Sequence, residues 1–269
     1  MGMQIDKSYH FILRGETMEI IEMPWELNNL GVSSIEFRFD GTEDIRQIDS
    51  SVYENQDYEY QVCRIPANCM DLAYFLQDNG FRYSETAFEL SADLRKESLP
   101  GLYKNYLDMF DYHIADKDEI LKVDEIIRRG VFDTDRIALD PFFDLEKSGR
   151  RFENWFAKEL DAGSSKCYIV DAMSKDLGFF VLKENSNTEA DSFLAALFDQ
   201  KDKGMGFSVI YYPLVQARKE GKKKIKTRVS SNNLNSLKTH LEIGYKLKHI
   251  NYLFIKHVET SVTCIESSN

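Results

Sequence analysis

A lysine- and glycine-rich stretch is the part of this sequence best suited to chemistry: Lys201-Asp202-Lys203-Gly204-Met205-Gly206. An apolar run at 192–199 precedes it, as expected of a strand covered on both faces, and apolar residues recur at helical spacing from 207 to 220. Glycines at such a junction let the backbone approach a ligand, and the free N–H groups and dipole of the helix start attract a pyrophosphate. The stretch therefore predicts a diphosphate site; a tight strand-to-helix turn without a ligand is the alternative.

A second group of polar residues follows further along the chain. Their positions follow one helical spacing: Asn233, Ser236, His240 and then Gly244-Tyr245. Together with Lys201-x-x-Gly204-x-Gly206, this pattern resembles the GCN5-related N-acetyltransferase (GNAT) superfamily. Its signature is Q/R-x-x-G-x-G/A after the fourth strand, followed by Asn, a small residue, Tyr and Gly-Phe. The resemblance covers approximately residues 106–256, with lysine in place of the usual Gln or Arg.

The resemblance implies an acetyl-CoA cosubstrate bound along the apolar strand and the loop after it. Backbone groups of four residues would pair with the pantetheine arm as an added strand does: Leu194, Ala195, Ala196 and Leu197. Backbone N–H groups would hold the pyrophosphate at Gly204, Met205, Gly206, Phe207 and Ser208. Lys203 would lie next to the phosphates. Asn233 would bond the coenzyme or the splayed strand ends, although asparagine is also favoured there as a helix cap.

His240 takes the place of the tyrosine that, in the family, protonates the departing thiolate. A neutral histidine also carries an N–H donor, and its reference pKa of about 6.5 lets it act near neutrality. We therefore expect His240 to be the catalytic acid, and a partly buried structural histidine is the alternative. Asp171 or Glu189 could accept the proton of the attacking amine through water, and the sequence does not choose between them.

The sequence also resembles a narrower group, the TDP-fucosamine acetyltransferase-like members with two domains. Two segments carry this resemblance: Trp25-Glu26-Leu27-Asn28-Asn29-Leu30-Gly31 and Asp135-Arg136-Ile137-Ala138-Leu139-Asp140-Pro141. It implies an acceptor amine on a nucleotide-linked amino sugar. Arg136 would then face a phosphate of that nucleotide, because guanidinium suits bidentate phosphate contact. An ion pair of Arg136 with Asp133 or Asp140 is the alternative.

Hydrophobic periodicity predicts the elements that must position these residues. In the first half it predicts strands at 9–13, 34–39, 58–65 and 84–90, and helices at 44–53 and 69–79. In the second half it predicts helices at 117–129, 149–162, 207–220 and 234–243. Strands are predicted there at 167–171, 178–184, 192–199, 224–229 and 247–255, the first two as a hairpin.

A short internal repeat relates the two halves. The segments that start at Arg64 and Arg228 lie 164 positions apart, and each leads to a helix and a Gly-aromatic pair. The predicted fold class is α+β: the GNAT acyltransferase fold, with a mixed, splayed central sheet flanked by helices, preceded by a smaller degenerate GNAT-like domain. The expected divisions are a truncated N-terminal domain, a linker, a catalytic domain and a polar tail: 1–95, 96–105, 106–258 and 259–269.

Composition limits the functional classes. A formal charge of −11 speaks against a nucleic-acid-binding protein, which would present a basic face. The four cysteines show no C-x-x-C spacing, so we expect buried thiols in a reducing compartment and no metal site. There is no signal-peptide pattern and no run of about 18 apolar residues. We therefore expect a cytoplasmic protein without membrane contact, and the sequence allows a homodimer.

Three functions fit these residues. The first is an N-acetyltransferase that acts on an amino sugar. The second keeps the chemistry but takes a peptide N-terminus, a polyamine or another small amine. The third is a catalytically silent GNAT-like module that binds coenzyme A, and histidine in the tyrosine position favours it.

Overall fold

The computed structural model describes residues 8–13, 16–44, 46, 48, 57–96 and 101–258. The predicted helix at 44–53 lies largely outside the described residues, and the predicted tail at 259–269 lies wholly outside them. By its contacts the chain divides into two compact units. The first contains Met1–Ser84 and Asn251–Asn269, and the second contains Glu85–Ile250. This division into contact units differs from the domain boundaries expected from the sequence, and those boundaries stay a prediction.

The first unit is a sheet with a helix packed on one face. Its elements are β1 (Ser8–Leu13), β2 (Glu16–Glu22), α1 (Pro24–Leu30), β3 (Ser34–Arg38), β4 (Tyr60–Pro66) and α2 (Met70–Asp78). β1, β2 and β3 are antiparallel neighbours, and β3 runs parallel to β4. The end of the last strand, β11 (Lys246–His257), pairs antiparallel with β4. Phe37, Ile65 and Leu76 are buried in the apolar cluster between sheet and helix.

The second unit is a larger mixed sheet. Its strands are β5 (Arg82–Asp93), β6 (Phe110–Ile114), β7 (Ser165–Ala172), β8 (Lys175–Ser186), β9 (Glu189–Leu197) and β10 (Lys224–Ser230). Its helices are α3 (Gly101–Lys104), α4 (Lys117–Arg128), α5 (Leu145–Asp161), α6 (Phe207–Lys219) and α7 (Leu234–Glu242). The strands follow the order β5-β10-β9-β8-β7-β6. Only β9 and β10 are parallel.

Helices cover both faces of this second sheet. α6 contributes Val209, Ile210 and Ala217 to the apolar cluster on one face. α4 and α5 contribute Val123, Ile127, Phe152 and Phe156 to the cluster on the other face. α4 and α5 come close at Gly149, where an added Cβ would lie 2.2 Å from the carbonyl oxygen of Arg128. This two-sided cover explains why the β9 sequence is apolar on both faces.

The structure confirms the predicted mixed α+β fold class and most predicted elements. Four elements are missing from the prediction: β2, β6, α1 and α3. β6 is an edge strand with exposed polar residues, and α1 and α3 are too short for a clear period. α5 begins at Leu145, one turn earlier than predicted, because the Asp144 carboxylate accepts the N–H of Lys147 as its cap.

The internal repeat is present in the structure. The segments β4–α2–β5 and β10–α7–β11 correspond element by element, and every boundary in the second copy lies 164 residues after its counterpart. Leu76 therefore corresponds to His240, and Phe81 to Tyr245. β5 pairs with β10, and the end of β11 pairs with β4. Each unit thus includes a strand from the other copy of the repeat.

Two further observations bear on the expectations from composition. No helix within the described ranges is both long and apolar enough to cross a bilayer. The thiols of Cys63 and Cys167 are buried, and burial raises the pKa of both. Cys264 lies outside the described residues.

Candidate functional site

β9 and β10 diverge along their length. Their parallel register holds only three residue pairs, from Lys224–Glu189 to Lys226–Asp191. One side-chain bond follows, in which the Thr227 hydroxyl donates to the carbonyl oxygen of Ser192 at 2.9 Å. We call the diverging segments, residues 192–197 of β9 and 227–230 of β10, the fork. The predicted splayed sheet is therefore present in the second unit.

The four residues predicted to pair with pantetheine lie on the β9 side of the fork. The register of β9 with β8 shifts between Val181 and Leu182, which leaves Phe193 as an extra residue. Such a bulge changes the direction of the strand. Leu194, Ala195, Ala196 and Leu197 follow it, and contact with a cosubstrate arm stays a prediction for them.

The glycine-rich loop forms the junction between β9 and α6. Gln200–Met205 is a 3-10 helix, and α6 begins at Phe207 with Gly206 as its N-cap. No side chain caps α6, whereas Asp116, Asp144 and Asn233 cap α4, α5 and α7. Gly204 is exposed, and an added Cβ there would meet nothing within 4 Å. The start of α6 therefore has no side-chain cap, and anion binding at this loop stays a prediction.

The residues around this helix start differ in exposure. Phe207 is buried and stacks on Tyr103, with ring centroids 4.5 Å apart. Ser208 is fully buried, and its hydroxyl donates to the carbonyl oxygen of Met205 at 2.8 Å. The side chain of Lys203 lies outside the described part of the structure. Pyrophosphate contact at residues 203–208 stays a prediction.

The loop carries acidic residues that would oppose an anionic ligand. The Lys175 ammonium lies 2.7 Å from the Asp202 carboxylate, and Lys201 lies 3.9 Å from Asp199. Lys175 comes from the hairpin between β7 and β8, so the tertiary structure supplies this charge compensation. The ion pairs reduce the repulsion that these carboxylates would exert on a phosphate.

α7 directly follows the β10 side of the fork. The Asn233 side-chain oxygen accepts the Ser236 N–H at 3.1 Å, so this residue is a helix cap. The capping alternative is therefore present, and a bond from Asn233 to the coenzyme stays a prediction.

His240 is buried on α7 and has a defined tautomer. Its Nδ1 lies 2.8 Å from the carbonyl oxygen of Ser236, and a carbonyl can only accept, so Nδ1 carries the hydrogen. Burial lowers the pKa of His240 to about 4, so the ring is neutral at pH 7 and Nε2 presents a lone pair. Its role as the catalytic acid stays a prediction, and it requires Nε2 to gain a proton first.

Asp191 is a candidate that the sequence reasoning missed. It is half-buried and is the last β9 residue in register with β10, at the base of the fork. Burial raises the pKa of its carboxyl to about 6, against the opposing charges of Arg228, Lys183 and Lys226. A pKa near neutrality suits a group that must take up and release a proton. In the sequence Asp191 is one of two carboxylates just before the apolar run at 192–199, so neither residue type nor spacing distinguishes it from Glu189.

The two carboxylates named earlier as proton acceptors are engaged in ion pairs. Burial would raise the pKa of Glu189, but Lys226 and Lys224 contact it and lower that pKa overall. Asp171 lies 3.6 Å from Nδ1 of His113. Glu189 lies in the same short register as Asp191, and the direction of the pKa shift distinguishes the two carboxyls.

Arg136 lies in the loop between α4 and α5, which packs on the face of the sheet opposite α6. Asp135 fixes this loop, since its carboxylate accepts from Ala138 N–H at 2.9 Å and lies 3.8 Å from Arg151. A pocket of about 180 Å³ lies at the start of the loop. It is lined by Ile126, Arg129, Gly130, Val131, Leu197, Phe198 and Gln200. Phosphate binding by Arg136 stays a prediction.

Comparison with known proteins reveals likeness in structure. No protein-family model and no curated protein matches the sequence. A functionally unknown conserved protein from Staphylococcus epidermidis has a TM-score of 0.66 at 10% identity, over 94% of this chain and 95% of that chain. A GCN5-related N-acetyltransferase from Kribbella flavida has a TM-score of 0.56 at 12% identity, over 94% and 90%.

A third similar structure is a tandem GNAT protein from the clavulanic acid biosynthesis pathway. Its TM-score is 0.54 at 11% identity, over 91% of this chain and 79% of that chain. At such identities the likeness concerns the fold alone. The chain therefore has the fold of the GCN5-related N-acetyltransferases, in agreement with the prediction from its sequence.

Proposed function

We propose that the protein is an acetyl-CoA-dependent N-acetyltransferase. The observation that carries the proposal is the fork, whose β9 side leads through the 3-10 helix Gln200–Met205 to the start of α6, which has no side-chain cap. A diverging strand edge accepts an extended arm with amide groups, and an open helix start accepts a diphosphate. Acetyl-CoA has these two parts joined in that order.

The proposed contacts follow from this arrangement. Residues 194–197 pair with the pantetheine arm, and N–H groups of residues 204–208 hold the pyrophosphate. Lys203 and Asn233 are proposed to add further contacts. The ion pair between Lys175 and Asp202 supports binding because it offsets a negative charge next to the phosphates.

The proposed reaction is direct attack on the thioester. The amine nitrogen bonds to the acetyl carbon, the carbon–sulfur bond breaks, and one amine proton must leave. Asp191 is proposed to accept that proton, because its carboxylate is charged at pH 7 and lies at the base of the fork. His240 is retained as the proposed donor to the thiolate: Nε2 would first take a proton from solvent, and Asp191 would return the amine proton to solvent after the transfer.

The proposed acceptor is the amino group of a nucleotide-linked amino sugar. Support comes from the resemblance carried by residues 25–31 and 135–141. In the structure the first segment is α1 with Gly31, in the left-handed region, at its end. The second segment is the loop fixed by Asp135, where Arg136 is proposed to face a phosphate.

A catalytically silent coenzyme A-binding module is the second candidate. The observation that favours it is the chemistry of His240, which is neutral, buried and hydrogen-bonded through its one N–H group. This ring lacks the hydroxyl donor of the tyrosine that the family carries at this position. Such a protein would bind the coenzyme through the same loop and transfer nothing.

Calorimetric titration with acetyl-CoA, followed by acyl-transfer assays, tests both candidates. The assays follow release of free thiol with three acceptors: a TDP-amino sugar, a polyamine and a peptide with a free N-terminus. We expect binding, amine-dependent thiol release and a product heavier by one acetyl group. Binding without transfer to any amine would favour the silent module, and absence of binding would overturn both candidates.

A further inference from the structure

Asp191 faces the side of the second sheet on which α5 packs. Its register partner on β8 is Lys183, whose ammonium lies 2.8 Å from the Glu159 carboxylate of α5. Residues directly opposite one another on neighbouring strands point to the same face, so Asp191 also lies on the α5 face. Its register partner on β10, Lys226, shares this face, and the side chain of Lys226 is about half exposed. The α5 face of the sheet is therefore open to solvent at the base of the fork.

The cations around Asp191 are each bound to another carboxylate. Three ion pairs use them: Lys183–Glu159, Lys226–Glu189 and Arg228–Glu89. Within the described residues, the half-buried carboxylate of Asp191 has no hydrogen bond or ion pair of its own. A half-buried carboxylate without a partner is unfavourable, and a hydrogen-bond donor would compensate it. The amino group of an acceptor is such a donor.

An aromatic pair lies beside Asp191 on the same face. Phe193 is the extra residue of the β9 bulge, two positions after Asp191, and it packs against the apolar cluster between the sheet and α5. Its ring meets the ring of Trp155 edge-on, with centroids 4.5 Å apart. Trp155 lies one turn before Glu159 on α5, so the two side chains share one side of that helix. Contacts thus connect Asp191 with Trp155 in two ways, along β9 and across the sheet through the ion pair to α5.

The Trp155 ring is held in place and yet partly exposed. It is 38% exposed, while it stacks on Phe152 at 6.2 Å and lies under the Arg151 guanidinium, 5.7 Å from the ring centre. Arg151 in turn lies 3.8 Å from Asp135, in the loop between α4 and α5. A rigid indole with a free surface offers contact area at little cost in conformational entropy. The ring therefore forms an apolar wall that connects the fork with this loop.

We propose that Trp155 is a specificity-determining residue whose ring contacts the sugar ring of the acceptor, while Asp191 binds the amino group. This inference rests on the proposed transferase function and specifies where the acceptor lies. The apolar C–H face of a sugar ring packs on the indole, and the amine then reaches the carboxylate beside the fork. Carboxylate, indole and the loop with Arg136 follow one another in the order of amine, ring and phosphate in a nucleotide-linked amino sugar. An unbranched amine has no ring and leaves the indole exposed.

The variants Trp155→Leu and Trp155→Phe test this inference, with Leu121→Ala as the control. Leu121 is an exposed apolar residue on α4 of the same unit. Trp155→Leu should lower kcat/KM for a TDP-amino sugar about tenfold or more, mainly through the KM of this acceptor, because the ring contact is lost. Trp155→Phe keeps an aromatic ring and should restore most of this loss. The Kd for acetyl-CoA in Trp155→Leu should equal the wild-type value, and Leu121→Ala should show the wild-type acceptor KM.

A binding measurement without turnover separates this inference from the proposed function. The chain contains two tryptophans, Trp25 and Trp155, so Trp25→Phe leaves Trp155 as the single indole. This variant is titrated with the TDP-amino sugar in the presence of coenzyme A, which carries no acetyl group. The indole emission should change, because the sugar ring covers an exposed indole, and n-butylamine should leave the emission unchanged.

The two measurements decide between the possible results. If the emission responds to the amino sugar but no acetyl group is transferred, the acceptor site stands and the transferase function falls. If the emission does not respond, or responds equally to n-butylamine, the inference is wrong. An acceptor KM in Trp155→Leu equal to that of the wild type would also overturn it.

Discussion

The two copies of the strand–helix–strand repeat share a frame but place different side chains inside it. α2 buries Leu72 and Leu76 against the first sheet, and α7 places Ser236 and His240 at the corresponding positions. The backbone at the start of the two helices is nearly the same: φ −93° and ψ 66° before α2, φ −105° and ψ 65° before α7.

This difference distinguishes the residues that folding requires from those that a functional site would require. The first copy shows that the strand–helix–strand unit folds with apolar side chains at these positions. Folding therefore does not require the polar residues of the second copy. These residues lie beside the fork, and the described part of the first unit shows no such divergence of two strands. The proposed function supplies a reason for burying His240, namely a ligand bound at the fork.

The largest expected effect comes from moving the polar residue into the apolar copy. Leu76→His should lower the free energy of unfolding by about 3 kcal/mol, because it removes apolar contacts and buries an imidazole in an apolar cluster. The reciprocal variant, His240→Leu, should change it by less than about 1 kcal/mol. Urea denaturation measures both, and equal losses would contradict the distinction drawn between the two copies.

Acid should destabilise the second unit through His240. Its folded pKa of about 4 lies below the unfolded value of about 6.5. The unfolded chain therefore binds more protons in this window, and stability is lost as pH falls from about 6.5 toward 4. Between pH 7 and 4.5 the wild type should lose roughly 2 kcal/mol more than His240→Leu.

Asp191 contributes with the opposite sign. Its pKa is raised to about 6, so stability falls as pH rises through the window between the unfolded value and 6. Both proteins contain Asp191, and its contribution cancels in the comparison. Identical pH dependence in the two proteins would show that His240 is not held neutral by burial.

A charge at the helix start should weaken cosubstrate binding. Gly204→Asp places a carboxylate at an exposed position with open space around the Cβ, so the protein should fold normally. Repulsion from the pyrophosphate should raise the Kd for acetyl-CoA about tenfold or more. Gly101→Asp, also with open space at the Cβ, is the control and should leave the Kd unchanged. Calorimetric titration measures both Kd values. An equal increase in Kd for the two variants would mean that the diphosphate binds elsewhere.

The smallest expected effect concerns the helix caps. Cys69 precedes α2 without a side-chain cap, in nearly the backbone conformation that Asn233 adopts before α7. Cys69→Asn should therefore stabilise the protein by about 0.5 to 1 kcal/mol, and Asn233→Cys should destabilise it by a similar amount. Thermal unfolding measures both changes, and a loss of stability in Cys69→Asn would mean that the two helix starts are not equivalent.

The sequence predicted those features that depend on short segments of chain. The repeat, the strand before Gly204 and the helix after it are visible because periodicity and turn residues act locally. α1 was missed because its seven residues give too short a period, and β6 because it is an edge strand with polar residues exposed.

The missing parts of the site depend on residues far apart in the chain. The pKa of Asp191 reflects burial together with Lys183 and Arg228, which come from neighbouring strands. The tautomer of His240 depends on the Ser236 carbonyl and on burial that only the folded unit provides. Residue type and spacing identified His240, but they carry no information on which of its nitrogens bears the hydrogen.

The crossing of strands between the two copies has a consequence for how such a chain can change over time. β5, encoded in the first copy, shields one edge of β10, and the end of β11, encoded in the second, shields β4. Losing either copy would leave the surviving one with a bare edge that invites aggregation. We therefore expect the first copy to be needed for the edge that it covers, although Asp40, Gly41 and Thr42 stand there in place of Gly204, Met205 and Gly206.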